Sequence, residues 1–190
     1  MEYRNKRIER AVYTGFFFFA GCFFGWIWEM VVFLFSHGDV SIRDMIFNLR
    51  GVLHGPWVPI YGVGFVLLMG IKKVVRGRVL PTFCGCVLGC GLLEYLTSYI
   101  LEKLFHGRWW DYSDKFLNLN GRIYAGGLLF FGIAGTAVIF LAEPAFHRLI
   151  SKIPEKGRRG VLLILLLLFI TDVLFSVCTP NTGIGVSIVR

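Results

Sequence analysis

Four carboxylates of the long apolar stretches of this 190-residue sequence are candidates for chemistry: Glu29, Glu94, Glu143 and Asp172. A carboxylate at membrane depth is expensive, and it ordinarily faces a protein interior, a wet cavity or a partner, where it can recognise a charged substrate or relay a proton. Glu143 precedes Pro144 beside a basic cluster and reads as interfacial, whereas Asp172 either joins a site or holds a neighbouring loop. The segment Gly55 to Gly64, GPWVPIYGVG, is unusual in another way. Pro56 and Pro59 remove two backbone donors, while Gly55, Gly62 and Gly64 permit close approach of chains. Two structures fit it: a broken or re-entrant entry whose open amides, through Gly62 to Gly64, could hold an anion, or a proline-led helix start beside an aromatic anchor. A third stretch, HGRWWDYSDKFLNLNGR from His106 to Arg122, is polar and aromatic, and its double Trp also suits an ordinary interfacial belt.

Some chemistries are excluded or disfavoured by the same inspection. There is no GxxxxGK[ST], GxSxG or HExxH, so this chain does not hydrolyse ATP through a P-loop of its own. His37, His54, His106 and Asp111 match no metal-ligand spacing, and the sequence calls for no metal and no cofactor. Cys22, Cys84, Cys86 and Cys90 lie in apolar segments and Cys178 at a segment end, which favours packing roles over a disulfide framework.

The elements that must position these groups follow from composition. With 56% hydrophobic and 17% charged residues, the chain is too apolar to be an ordinary soluble domain, which carries about 25% charge. Five stretches are long enough to be read as spans: about Val12 to Ser36, Val58 to Ile71, Val79 to Phe105, Ile123 to Phe146 and Gly160 to Cys178. The first exceeds a signal-peptide core and is expected to remain as a helix. Gly21 with Gly25, and Gly85 with Gly89, have the spacing that lets helices pack closely. Ser41 to Leu49 places apolar residues on one helical face and predicts a short interfacial outer helix. The expected fold is therefore an all-α membrane bundle of about five transmembrane helices forming one domain over 1–190.

The formal charge of +8 comes from 20 Lys and Arg against 12 Asp and Glu, clustered between apolar stretches. That pattern sets topology in a lipid bilayer and does not indicate a nucleic-acid partner. Thirteen basic residues fall in the N-terminal, second-to-third and fourth-to-fifth segments, and seven in the others. The N-terminus is thus expected in the cytoplasm and the C-terminus outside, with Glu29, Glu94 and Asp172 at similar depth near the outer face.

GWIWE at Gly25 to Glu29, HGPWVPIYGVG at His54 to Gly64, LLEYLTSYILEKLF at Leu92 to Phe105, WWDYSDKFLNLNGRI at Trp109 to Ile123 and the aspartate of LFITD at Asp172 together resemble the CmpB family of type IV ABC-transporter permeases. The resemblance spans nearly the whole chain, and GPxxPIYG with WWDYS and NGR is a specific combination. It implies a multi-pass protein of the bacterial cell membrane, a permease that works with an ATPase subunit. The matching positions are Glu29, Gly55, Pro56, Pro59, Ile60, Tyr61, Gly62, Glu94, Trp110, Asp111, Tyr112, Ser113, Asn118, Gly121 and Arg122.

Taken together, these readings predict a transport component with an outer-facing substrate cavity lined by Glu29, Glu94 and the GPWVPIYG entry, covered by the WWDYS and NGR loop. Five spans in one chain are few for a permeation path, so a second copy or another subunit is expected. The alternatives are a membrane-embedded enzyme acting on lipid or lipid-linked head groups, with Glu29, Glu94 and Asp111 as acid and base and Arg122 gripping a phosphate, and a non-catalytic assembly subunit. Within the loop, Arg122 is expected to neutralise Glu29 or Glu94, and Arg108 to be dispensable.

Overall fold

The computed structural model describes residues 2–36, 51–181 and 187–188. Among them the order is α1 (Glu2–Ser36), α2 (Pro59–Val75), α3 (Val79–Phe105), β1 (Gly107–Arg108), β2 (Asn118–Leu119), β3 (Ile123–Tyr124), α4 (Ala125–Ala137), a π-helical turn (Val138–Ala142), α5 (Glu143–Ser151), α6 (Glu155–Cys178) and β4 (Ser187–Ile188). α4, the π turn and α5 form one continuous rod. This is an all-α membrane protein: Lys6–Phe35, Val79–Phe105, Ala125–Ser151 and Glu155–Cys178 are each long and apolar enough to cross a bilayer. The interfacial helix expected at Ser41 to Leu49 lies outside the described residues.

α2 has only 17 residues, about 26 Å at 1.5 Å per residue and short of a hydrocarbon core of roughly 30 Å. What precedes it explains the shortfall. Residues 51–58 enter as non-helical chain, and the Val58 amide donates to the Cys22 carbonyl at 3.0 Å. Cys22 lies fourteen residues before the end of α1, roughly 21 Å along its axis. Non-helical backbone therefore descends beside α1 before α2 begins, and Pro59 opens that helix at a position where its missing N–H costs nothing. Gly62 and Gly64 lie inside α2, so the open amides expected there belong to regular helix.

The glycine pairs seat α2 between its neighbours. A Cβ on Gly25 would overlap the Tyr61 ring, and one on Gly21 would meet Phe65 at 2.7 Å. On the other side, Gly85 and Gly89 face Ile71 and Leu67. These contacts run α1, α2 and α3 antiparallel, while Gly15 against Leu162 and Phe19 against Phe169 set α6 alongside α1 in parallel. Two ends result. One holds the start of α1 and of α6; the other, the loop end, holds Glu29, Tyr61, Glu94, Asp172 and all four strands. Along α6 the exposed Leu163, Ile164, Leu167 and Leu168 present an apolar surface suited to lipid.

Candidate functional site at the loop end

The chain from His106 to Tyr124 forms a structured cap. Asn120 and Gly121 both have positive φ, 55° and 67°, and the Arg122 amide donates to the Leu119 carbonyl at 3.0 Å. That is the Asn-Gly turn of a tight hairpin, with β2 and β3 paired antiparallel, Leu119 opposite Ile123. Gly121 is required twice over: its φ is left-handed, and an added Cβ would collide with the Asp111 carboxylate and the Ser113 hydroxyl. Asp111 Oδ1 accepts from the Ser113 amide at 2.9 Å and from its hydroxyl at 2.5 Å. The Ser113 hydroxyl, its amide and the guanidinium groups of Arg108 and Arg122 hold the Asp111 carboxyl below the usual carboxylate range. Asn118 closes the turn, donating to the Ser113 and Lys115 carbonyls and accepting from the Gly121 amide.

The cap is bolted to α3 by Arg122, which is only 6% exposed. Its guanidinium donates to Ser98 Oγ at 3.0 Å and to Glu102 Oε2 at 2.9 Å, and it lies over the rings of Tyr95 and Tyr99. Arg108 Nε donates to the same Glu102 oxygen at 2.6 Å, and its Nη1 approaches Asp111 at 3.6 Å. Arg122 thus pairs with Glu102, at the end of α3, rather than with Glu29 or Glu94. Arg108 is part of the same network and not a bystander. Trp110 donates its indole N–H to the Arg122 carbonyl at 3.1 Å. Trp109 is 4% exposed, packs on Phe105 and donates to the Asn181 carbonyl. Neither indole is needed as a lipid-facing belt to explain its place.

Beneath the cap, two carboxylates meet two phenols. Tyr61 of α2 donates to Glu29 Oε1 at 2.7 Å, and Tyr112 of the cap donates to Glu94 Oε1 at 3.2 Å. All four groups lie within electrostatic reach of one another. Burial first, then the Glu94 and Glu29 carboxylates, push the Tyr112 phenol well above its ordinary value, so it remains a proton donor at neutral pH. Among the described residues, no Lys or Arg pairs with Glu94, which is 9% exposed.

Asp172 serves the α2 entry. Its carboxylate accepts from the His54 amide at 3.1 Å, the Gly55 amide at 2.8 Å, the Trp57 indole at 2.6 Å and Ser176 Oγ at 3.1 Å. The His54 and Gly55 amides at the start of this entry are thus turned toward an anion already, supplied by α6. Gly55 packs so tightly under the Trp57 indole that a Cβ there would overlap it, and Gly62 does the same against Cys22 Sγ and Phe18.

The residues singled out in sequence therefore separate into three groups. Glu29, Tyr61, Glu94 and Tyr112 come together. Trp110, Asp111, Asn118 and Arg122 build the cap, and Gly55, Pro56, Pro59 and Gly62 shape the α2 entry. Sequence reasoning missed Ser98, Glu102 and Arg108. The signal was present, because Glu94, Ser98 and Glu102 recur every four residues and so share one face of α3.

No curated protein and no solved structure matches the chain. The family model described as "Putative ABC-transporter type IV" matches residues 16–177, a span that takes in every residue of the cap, the α2 entry and the carboxylate pair, and the chain belongs to that family.

Proposed function

We propose that this chain is the membrane-embedded component of a bacterial ABC-type transporter, with its N-terminus in the cytoplasm and its loop end outside. On this reading the loop end is where a cationic substrate is met. One observation carries the choice of charge: Glu94 is buried beside Glu29, and it accepts its hydrogen bond from the Tyr112 phenol, not from a cation. The competing charges nearby are already committed, Arg122 to Glu102 and the His54 and Gly55 amides to Asp172. A cation reaching Glu94 would meet a buried carboxylate that, among the described residues, no guanidinium or ammonium holds, with the Glu29 carboxylate close by. Tyr61 and Tyr112 would orient the carboxylates until it arrives.

The same commitments weaken the enzymatic alternative, since the phosphate grip expected of Arg122 is occupied by Glu102 and Ser98. Transport fits the family and the absence of a P-loop in this chain, which leaves ATP hydrolysis to a separate ATPase. A second copy or another membrane subunit would complete the path. Purification from native membranes with neighbours retained tests this part: an ATPase in stoichiometric amount is expected, and a strictly monomeric chain with no ATPase companion would contradict it.

A further inference from the structure

A concave site lies at the other end of the bundle, about twenty residues along α1 from Glu29. Four helices converge there on a cleft of about 590 Å³, within the range of small-molecule sites. α1 contributes Glu9 and Arg10, α2 Lys73, α5 His147 and Ser151, and α6 Arg158. The charge balance is one-sided. Glu9 is the single carboxylate of the lining, and it is already engaged by Arg158 at 2.8 Å and by Arg159 at 2.9 Å. Arg10 and Lys73 have no carboxylate partner among the described residues. Buried in the wall, Arg158 Nε has no hydrogen-bond acceptor, and Glu9 Oε2 meets Arg158 Nη2 as an ion pair without a well-directed hydrogen bond.

A buried donor without an acceptor carries a desolvation cost that a strong acceptor would relieve. Tetrahedral oxyanions supply several such oxygens at once, and guanidinium and ammonium groups are their usual protein partners. We infer that this cleft binds a phosphate-bearing anion, either the head group of an anionic lipid or a free phosphate compound, held by Arg10, Lys73 and Arg158. His147 and Ser151 are placed to add hydrogen bonds from α5. Basic residues that merely mark the cytoplasmic side would flank the helices without converging on one cavity. Arg148 and Lys152 do just that, on the same helix end but outside the cleft. They are the natural controls.

The test uses the full chain in nanodiscs of phosphatidylcholine and reads the midpoint of thermal unfolding. Inorganic phosphate is added at constant ionic strength with chloride as the comparison; in a separate arm phosphatidylglycerol replaces part of the lipid. A bound anion should raise the midpoint by about 5 °C at roughly a hundredfold excess over Kd. A rise with phosphate assigns the cleft to a free anion, and a rise with phosphatidylglycerol alone assigns it to a lipid head group. The Arg10→Gln, Lys73→Gln double variant alters exposed side chains and should fold normally but lose most of the rise. The Arg148→Gln, Lys152→Gln double variant should keep it. Equal loss in both variants would mean general attraction to basic surface, and no rise in either arm would leave the cleft without an anion; either result overturns the assignment.

Discussion

Glu102 Oε2 accepts from two guanidinium groups, and this sharing decides what each arginine does. Removing one partner of a buried pair commonly costs about 3–5 kcal/mol. Because Glu102 is itself partly exposed and Arg108 would remain on it, Arg122→Ala is expected below that range, about 2 kcal/mol by thermal or denaturant unfolding in detergent. Arg108→Ala should cost about 1 kcal/mol or less, since its side chain is a quarter exposed and screened by solvent. Two donors on one oxygen are not independent, so the double variant should deviate measurably from the sum of the singles. Asp111 gives a pH dependence with a definite sign. Its folded-state pKa is lowered, chiefly by the Ser113 hydroxyl, so its contribution to the cap is complete above the ordinary Asp value of about 3.9 and disappears as pH falls through the lower folded value. Amide exchange of the cap, taken relative to the intrinsic rate at each pH, should accordingly be flat from neutral to mildly acidic pH and rise only in strong acid. Asp111→Asn should lose that acid-induced rise.

At the scale of elements, the cap depends on a turn that only glycine serves well. Gly121→Ala forces a side chain into left-handed backbone at a cost of about 1–2 kcal/mol and into contact with Asp111 and Ser113. Hydrogen exchange over β2 and β3 should accelerate while the helices stay protected. The α2 entry depends instead on Asp172. In Asp172→Asn an amide group would face donors from Gly55 or Trp57, so the His54 and Gly55 amides should exchange faster than in the native chain. Much of this architecture was legible in the residues. The long apolar runs gave the helices, with α3 starting and ending where the pattern put it, and the glycine spacing gave the contacts that seat α2. Asn120-Gly121 carried a hairpin signal, but two-residue strands are too short to show alternation. The pairing of β1 with β4 was not legible, since Gly107 and Ile188 are distant in sequence and join only through the fold. Arg122 stood out in the sequence, but its partner Glu102 did not, because charge and spacing on a loop do not say which helix turn it reaches.

For the whole molecule, the alternation of helix directions puts the start of α1 and the loop cap at opposite ends, and the proposed orientation sets the former, with its excess of basic residues, in the cytoplasm. Cysteine labelling of intact cells should modify Ser113→Cys from outside and leave Lys156→Cys untouched; the reverse pattern would invert the orientation. The role proposed for the chain rests on Glu29 and Glu94 receiving a cation beneath the cap. The most direct measurement is ATP-dependent redistribution of solutes across membrane vesicles that contain this chain with its natural neighbours, followed by mass spectrometry. We expect at least one cationic solute to be moved by the native protein, with movement lost in Glu94→Gln and retained in Lys115→Gln, which alters only an exposed cap residue. A transported solute that is anionic or neutral, or movement indifferent to Glu94→Gln in a variant that inserts and unfolds normally, would contradict the account.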